Sequence, residues 1–179
     1  MSFKRNLYQS LDKTASFFSL IGGVLSIAVM FLMTIHIIVE IVLRSVFSSS
    51  TYVLDEMVGY GVAAMTFLSL GYAFRHLALI RVGILSSIVK SKQIKKYLEL
   101  FCVTIGIFAS YFILKYFYLS VLRHFARGSR SETIAEVPLW IPETLVCIGL
   151  AIFMLELVRR FFGVLLDQES SVQIAEGAE

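Results

Sequence analysis

Four apolar runs, each about the ~20 residues that cross a bilayer as a helix, constrain this chain more than any other feature. They cover about 17–43, 57–80, 98–122 and 139–158. In hydrocarbon only helices and closed barrels satisfy every backbone group, and long apolar runs without period-two alternation read as helices. The expected fold is all-α and integral to the membrane, with four transmembrane helices. Hydrophobic residues fill 58% of the 179 positions, against ~45–50% in a soluble domain. Residues 1–166 therefore read as a single membrane domain and 167–179 as a polar tail. Gly22 and Ser26, and likewise Gly59 and Ala63, lie four apart, a spacing that lets membrane helices approach closely. Cys102 and Cys147 sit in separate apolar runs with no metal or redox spacing, and read as small packing residues.

The segments between the runs complete the topology. Residues 2–16 place Phe3, Leu7, Leu11 and Ala15 on one face, with Lys4, Arg5, Gln9, Asp12 and Lys13 around it. That pattern predicts an amphipathic helix on the membrane surface. The apolar stretch that follows is too long for a signal-peptide core, so the segment is expected to be retained. Between the second and third runs, Ile84, Leu85, Ile88 and Val89 make one apolar face ahead of Lys90, Lys92, Lys95 and Lys96. This predicts a short interfacial helix and a basic turn. Pro138, Trp140 and Pro142 open the fourth span; proline suits a first helical turn and tryptophan suits the interface. Eleven basic residues (Lys4, Arg5, Lys13, Arg75, Arg81, Lys90, Lys92, Lys95, Lys96, Arg159 and Arg160) fall on the side of the termini, against four (Arg44, Arg123, Arg127 and Arg130) on the other. Basic residues favour the cytoplasm, so both termini are expected inside.

The candidate functional residues are charges at the ends of the runs. Charged side chains in membrane helices are costly and usually have partners. Glu40 and Arg44 share a helix face, acid first. Asp55 and Glu56 open the second helix, where its dipole favours negative charge; one of them is expected to meet a basic group of this chain or of a partner. Arg75 and Arg81 close that helix, and Arg127 and Arg130 lie in the mixed-charge loop 123–137, which is expected to face outward. With Trp140, these are the structural and partner-interface candidates. Glu156 is expected to pair locally with Arg160.

Catalytic chemistry finds little footing. His36, His76 and His124 invite a haem reading, but they lie at unmatched depths, so no cofactor or metal site is expected. Lys115, near Tyr111, Tyr116 and Tyr118, is close enough to the outer interface to snorkel. There is no nucleophile beside a base and no phosphate loop. Thr34, Ser69 and Thr104 are too scattered for a sodium site. Internal repeats and mid-membrane helix breaks, which mark secondary transporters, are not evident. An accessory or scaffold subunit is expected, with a small four-helix redox or anchor subunit of an enzyme complex as the alternative. No nucleic-acid partner is expected.

Taken together, Glu40-x-x-x-Arg44 before Phe47, Asp55-Glu56, Tyr72-Ala73-Phe74-Arg75, Ile80-Arg81-Val82, and Pro138-Leu139-Trp140 with Gly149 resemble the small membrane subunit of tripartite ATP-independent periplasmic (TRAP) transporters, the DctQ-like family. The resemblance spans nearly the whole chain. It implies a bacterial inner-membrane protein bound to a large multi-span permease subunit, which carries the sodium and substrate sites. It implies further that a periplasmic binding protein delivers an organic acid, such as a dicarboxylate or a sialic acid. The small subunit would be a scaffold among membrane lipids, and not an enzyme.

Overall fold

The computed structural model describes residues 2–76 and 91–166. Four helices account for nearly all of them: α1 (Ser2–Phe47), α2 (Leu54–Arg75), α3 (Lys92–Arg127) and α4 (Trp140–Leu165). Each is long and apolar enough to cross a membrane. The expected interfacial helix, Arg81 and the polar tail lie outside the described residues. The amphipathic N-terminal segment is helical but not separate, because α1 runs unbroken from Ser2 to Phe47. No proline or glycine-rich turn divides 2–16 from the apolar run, so nothing local stops the helix.

The helix ends follow local chemistry. At the end of α3, Gly128 takes the left-handed conformation (φ 61°). Its N–H reaches the Phe125 carbonyl at 3.2 Å, and the Ser129 N–H reaches the His124 carbonyl at 3.0 Å, a Schellman closure. Beyond it, Arg130 and Pro138 form an isolated antiparallel bridge that pinches the loop into α4. Within the helices, hydroxyls donate to their own backbone: Thr34 to Met30, Thr66 to Val62, Ser69 to Thr66 and Thr104 to Leu100. Such back-bonding satisfies a hydroxyl that lipid cannot.

Packing centres on α4, which lies against α1, α2 and α3; α1 also lies against α2, whereas α3 packs chiefly on α4. The close approaches use small residues. A Cβ on Gly22 would come within 2.6 Å of the Leu68 carbonyl oxygen, and one on Gly149 would overlap the Phe67 backbone. Four residues along α1 from Gly22, the Ser26 hydroxyl donates to the Met65 carbonyl at 2.8 Å. The Gly22–Ser26 pair is thus a helix contact, whereas Gly59 faces open space. Toward the other end, Phe74, Val103 and Leu157 form a buried cluster, with Phe74 edge-on to Phe153.

Polar side chains collect in two layers. On α2, nineteen residues separate Glu56 from Arg75; on α4, seventeen separate Glu143 from Arg160; on α3, twenty-one separate Glu99 from Ser120. At ~1.5 Å per residue these are ~26–32 Å, the thickness of a hydrocarbon core. On α1 twenty-eight residues, ~42 Å, lie between Asp12 and Glu40, so the polar layers are farther apart along α1 than along the other helices.

Candidate functional site

The corner between α1 and α2 is built on one carboxylate. Glu40 is buried, with 1% of its surface exposed. It accepts from Arg44 Nε at 2.7 Å, from Thr51 Oγ1 at 2.6 Å, from the Thr51 backbone N–H at 3.0 Å and from the Ser50 hydroxyl. Ser50 Oγ also accepts from the Tyr52 N–H at 3.1 Å. Ser48 and Tyr52 have left-handed backbones (φ 48° and 58°). Non-glycine residues there cost ~1–3 kcal/mol each and persist only where surroundings hold them. The Glu40 clamp on residues 50 and 51, between the two strained positions, supplies that hold. The expected Glu40–Arg44 pair is present, but Arg44 is more than half exposed, and the hydroxyls and backbone enclose the acid.

A second group lies at the same end. Glu56 accepts from Tyr60 Oη at 2.7 Å and from the Thr133 hydroxyl. It therefore ties the start of α2 to the 128–139 loop through hydroxyls; no basic group meets it among the described residues. Asp55 is exposed, without a polar side-chain partner among those residues. Glu143 accepts from Ser120 Oγ at 3.0 Å and lies 2.9 Å from His124 Nδ1, joining α4 to α3. On the loop, Arg130 pairs with Glu136 at 3.2 Å, both well exposed. Arg127 is exposed at the end of α3, and Trp140 packs edge-on against Phe125. Beneath this end, a largely apolar cavity of about 530 Å³ opens between α1, α2 and α4, with His36, Met57 and Leu145 in its wall.

The opposite end carries a knot of charges. Glu156 is fully buried. It accepts from Arg159 Nε at 2.7 Å and from Arg75 at 3.2 Å. Arg75 also donates to Asp12 at 2.8 Å, and Arg159 lies 3.5 Å from Asp12 and 3.4 Å from the Tyr8 hydroxyl. Arg160 binds Glu99 through Nε at 2.7 Å. The predicted Glu156–Arg160 pair is replaced. Arg160 turns to α3, and Glu156 takes Arg159 and the α2 arginine. Among the described residues the knot has two parts: Asp12, Arg75, Glu156 and Arg159 join α1, α2 and α4, and Arg160 with Glu99 joins α4 to α3. Of the predicted candidates among the described residues, Arg75 belongs here; Asp12, Glu99, Glu156, Arg159 and Arg160 stand with it. A signal was present on α1: Asp12, Ala15, Ser19, Gly22 and Ser26 recur at three and four residues among bulky neighbours, marking one protein-facing seam.

The three histidines stand apart. His76 Nδ1 lies 3.0 Å from the Tyr72 carbonyl oxygen, His124 is beside Glu143, and His36 borders the cavity. No three metal-capable side chains converge among the described residues. The arrangement does structural work: it pins helices and loops at two depths.

A family model described as the tripartite ATP-independent periplasmic transporters, DctQ component, matches residues 33–167. The chain belongs to that family. The match covers about three quarters of the sequence, from within α1 to the end of α4. No curated protein and no solved structure matches the chain significantly. The DctQ family is one of transporter components, not of enzymes, and the four apolar helices fit a multi-pass membrane protein.

Proposed function

We propose that this DctQ subunit is a rigid scaffold in the bacterial inner membrane. It holds the large multi-span permease subunit and helps a periplasmic binding protein to dock. The transported solute is an organic acid, a dicarboxylate or a sialic-acid-like compound, taken up with sodium by the large subunit. Both termini lie in the cytoplasm. The Arg75 end therefore faces inward, and the Glu40 corner with the 128–139 loop faces the periplasm. The observation that carries the scaffold reading is the charge knot: its arginines and acids pair between helices, α1 with α2 and α4 in one part and α3 with α4 in the other, which ties the helices to one another. Thr34, Ser69 and Thr104 each donate to their own helix backbone, and they sit on three different helices. Arg127 and Arg130, with Glu136, give the loop exposed, closely spaced charges of both signs, which suit an electrostatically steered transient contact.

The test is reconstitution in liposomes. The chain alone should give no sodium-dependent uptake of an organic acid, and the chain with its large partner and binding protein should give uptake. Uptake by this polypeptide alone would overturn the scaffold role. For topology, a cysteine replacing Ser131 should react with a membrane-impermeant thiol reagent in intact cells, and one replacing Ser91 should not. The reverse pattern would invert the assignment of ends.

A further inference from the structure

The outward face of α3 differs in chemistry from that of α1. On α3, Tyr97, Phe101, Phe108, Phe112 and Lys115 fall on the side away from the buried Val103 and Ser110, and the exposed Tyr111 stands at the edge of that face. Phe108 is 71% exposed and Tyr111 57%. On α1 the exposed side is mainly aliphatic, with Val24, Ile27, Leu32, Ile35 and Ile38, and its Thr34 hydroxyl is satisfied within the helix. Lipid chains meet every need of the α1 face. They cannot meet those of α3, where the Tyr111 hydroxyl and the Lys115 ammonium have no hydrogen-bonding or ionic partner among the described residues. An unsatisfied polar group in hydrocarbon is costly. Lys115 lies five residues from the Ser120 layer and can snorkel to it. Tyr111 cannot: it is nine residues from Ser120 and twelve from Glu99, ~13 and ~18 Å along the helix, beyond the reach of its side chain.

We propose that this face of α3 is the seat of the large subunit, and that the helix it receives carries a hydrogen-bond acceptor at the depth of Tyr111 and Lys115. The inference rests on the scaffold reading and adds which surface is used and what the partner must present there. A carboxylate or a carbonyl freed by a helix break would serve both groups. Aromatic side chains around them supply large, stiff contact area. A second copy of this chain does not fit. Two-fold packing of α3 on α3 would set Lys115 beside its own equivalent at one depth, and snorkelling would carry both like charges to the same layer. On α1 the same position in the membrane is left to lipid.

The test places a photo-crosslinking amino acid at Phe108 and at Phe112 of α3, and separately at Ile27 and Phe31 of α1. The full chain is produced with the large subunit and irradiated in native membranes. The α3 positions should yield adducts of this chain with the large subunit. Adducts only with lipid, or only with a second copy of the chain, would overturn the proposed surface. So would adducts to the large subunit from α1 but not from α3, an outcome that leaves the scaffold reading standing. Failure of the unaltered chain to co-purify with a large subunit would instead overturn that reading itself. In a companion measurement, Tyr111→Phe should lower recovery of the complex about threefold, the worth of a typical interhelical hydrogen bond in a membrane, at unchanged amounts of the small subunit. Unchanged recovery would contradict an acceptor at that depth.

Discussion

Glu156 and Glu40 are both almost fully enclosed, yet their partners come from different distances along the chain. Glu156 binds Arg159, three residues away, and Arg75, eighty-one residues away on another helix. Through Arg75 and Arg159 it is joined to Asp12 on α1. Every partner of Glu40 lies within eleven residues. One carboxylate depends on the assembled bundle, and the other shapes a single corner. The knot therefore registers helix against helix, and the clamp registers a loop against the end of its own helix.

The largest expected effect comes from stranding the knot. Glu156→Leu leaves Arg75 and Arg159 without their shared buried acid. Breaking one member of a buried ionic set costs about 3–5 kcal/mol. The thermal unfolding of the detergent-solubilised subunit should show that loss as a large drop in midpoint. A midpoint close to that of the unaltered chain would mean the knot adds nothing to cohesion. Close packing should come next. Gly149→Leu drives a side chain into the Phe67 backbone, and overpacking of this kind costs about 1–3 kcal/mol. Gly59→Leu, where an added Cβ would meet nothing within 4 Å, should leave the midpoint in place, and equal losses at the two sites would contradict the packing described.

At the corner the effects should be local. Glu40→Gln removes the charge that holds Ser50 and Thr51, so proteolysis or hydrogen exchange around 48–53 should rise while the bundle midpoint changes little. Arg44→Ala should do least. Its side chain is more than half exposed, exposed pairs contribute little, and the hydroxyls keep Glu40 satisfied. The midpoint should stay within about 2 °C. In the assembled transporter, neutralising Arg127 and Arg130 together should slow uptake at limiting binding protein without reducing the amount of membrane complex. Unaltered uptake under those conditions would remove the loop from docking.

The same contrast explains what the sequence made legible. Four spans, their order and most of their lengths follow from hydropathy, because each helix satisfies its backbone by itself. Glu40–Arg44 follows too, since a four-residue spacing places both on one helix face. Ser50 and Thr51 lie in the polar stretch between the first two spans; that their hydroxyls converge on Glu40 depends on two left-handed residues that no spacing announces. The knot was hidden for another reason. Asp12 and Arg75 are sixty-three positions apart, and Arg160 had a carboxylate at the right local spacing in Glu156. Arg159 and Arg160 are both buried, and which of them reached Glu156 followed the partner each met across the bundle, Asp12 for Arg159 and Glu99 for Arg160. The continuation of α1 through Ser2–Phe47 was obscured by composition, since residues 2–16 look interfacial although Asp12 is drawn into the bundle.

The central claim is that the charge knot holds the whole bundle in register whereas the Glu40 clamp holds one corner. Hydrogen–deuterium exchange on Glu156→Gln and Glu40→Gln, compared peptide by peptide with the unaltered subunit, tests it most directly. Glu156→Gln should raise exchange around Tyr8–Ala15 and at the ends of α2 and α4, the segments its two arginines join. Glu40→Gln should raise exchange only across the end of α1 and residues 48–55. Faster exchange confined to α4 in the first variant, or spread over all four helices in the second, would contradict it.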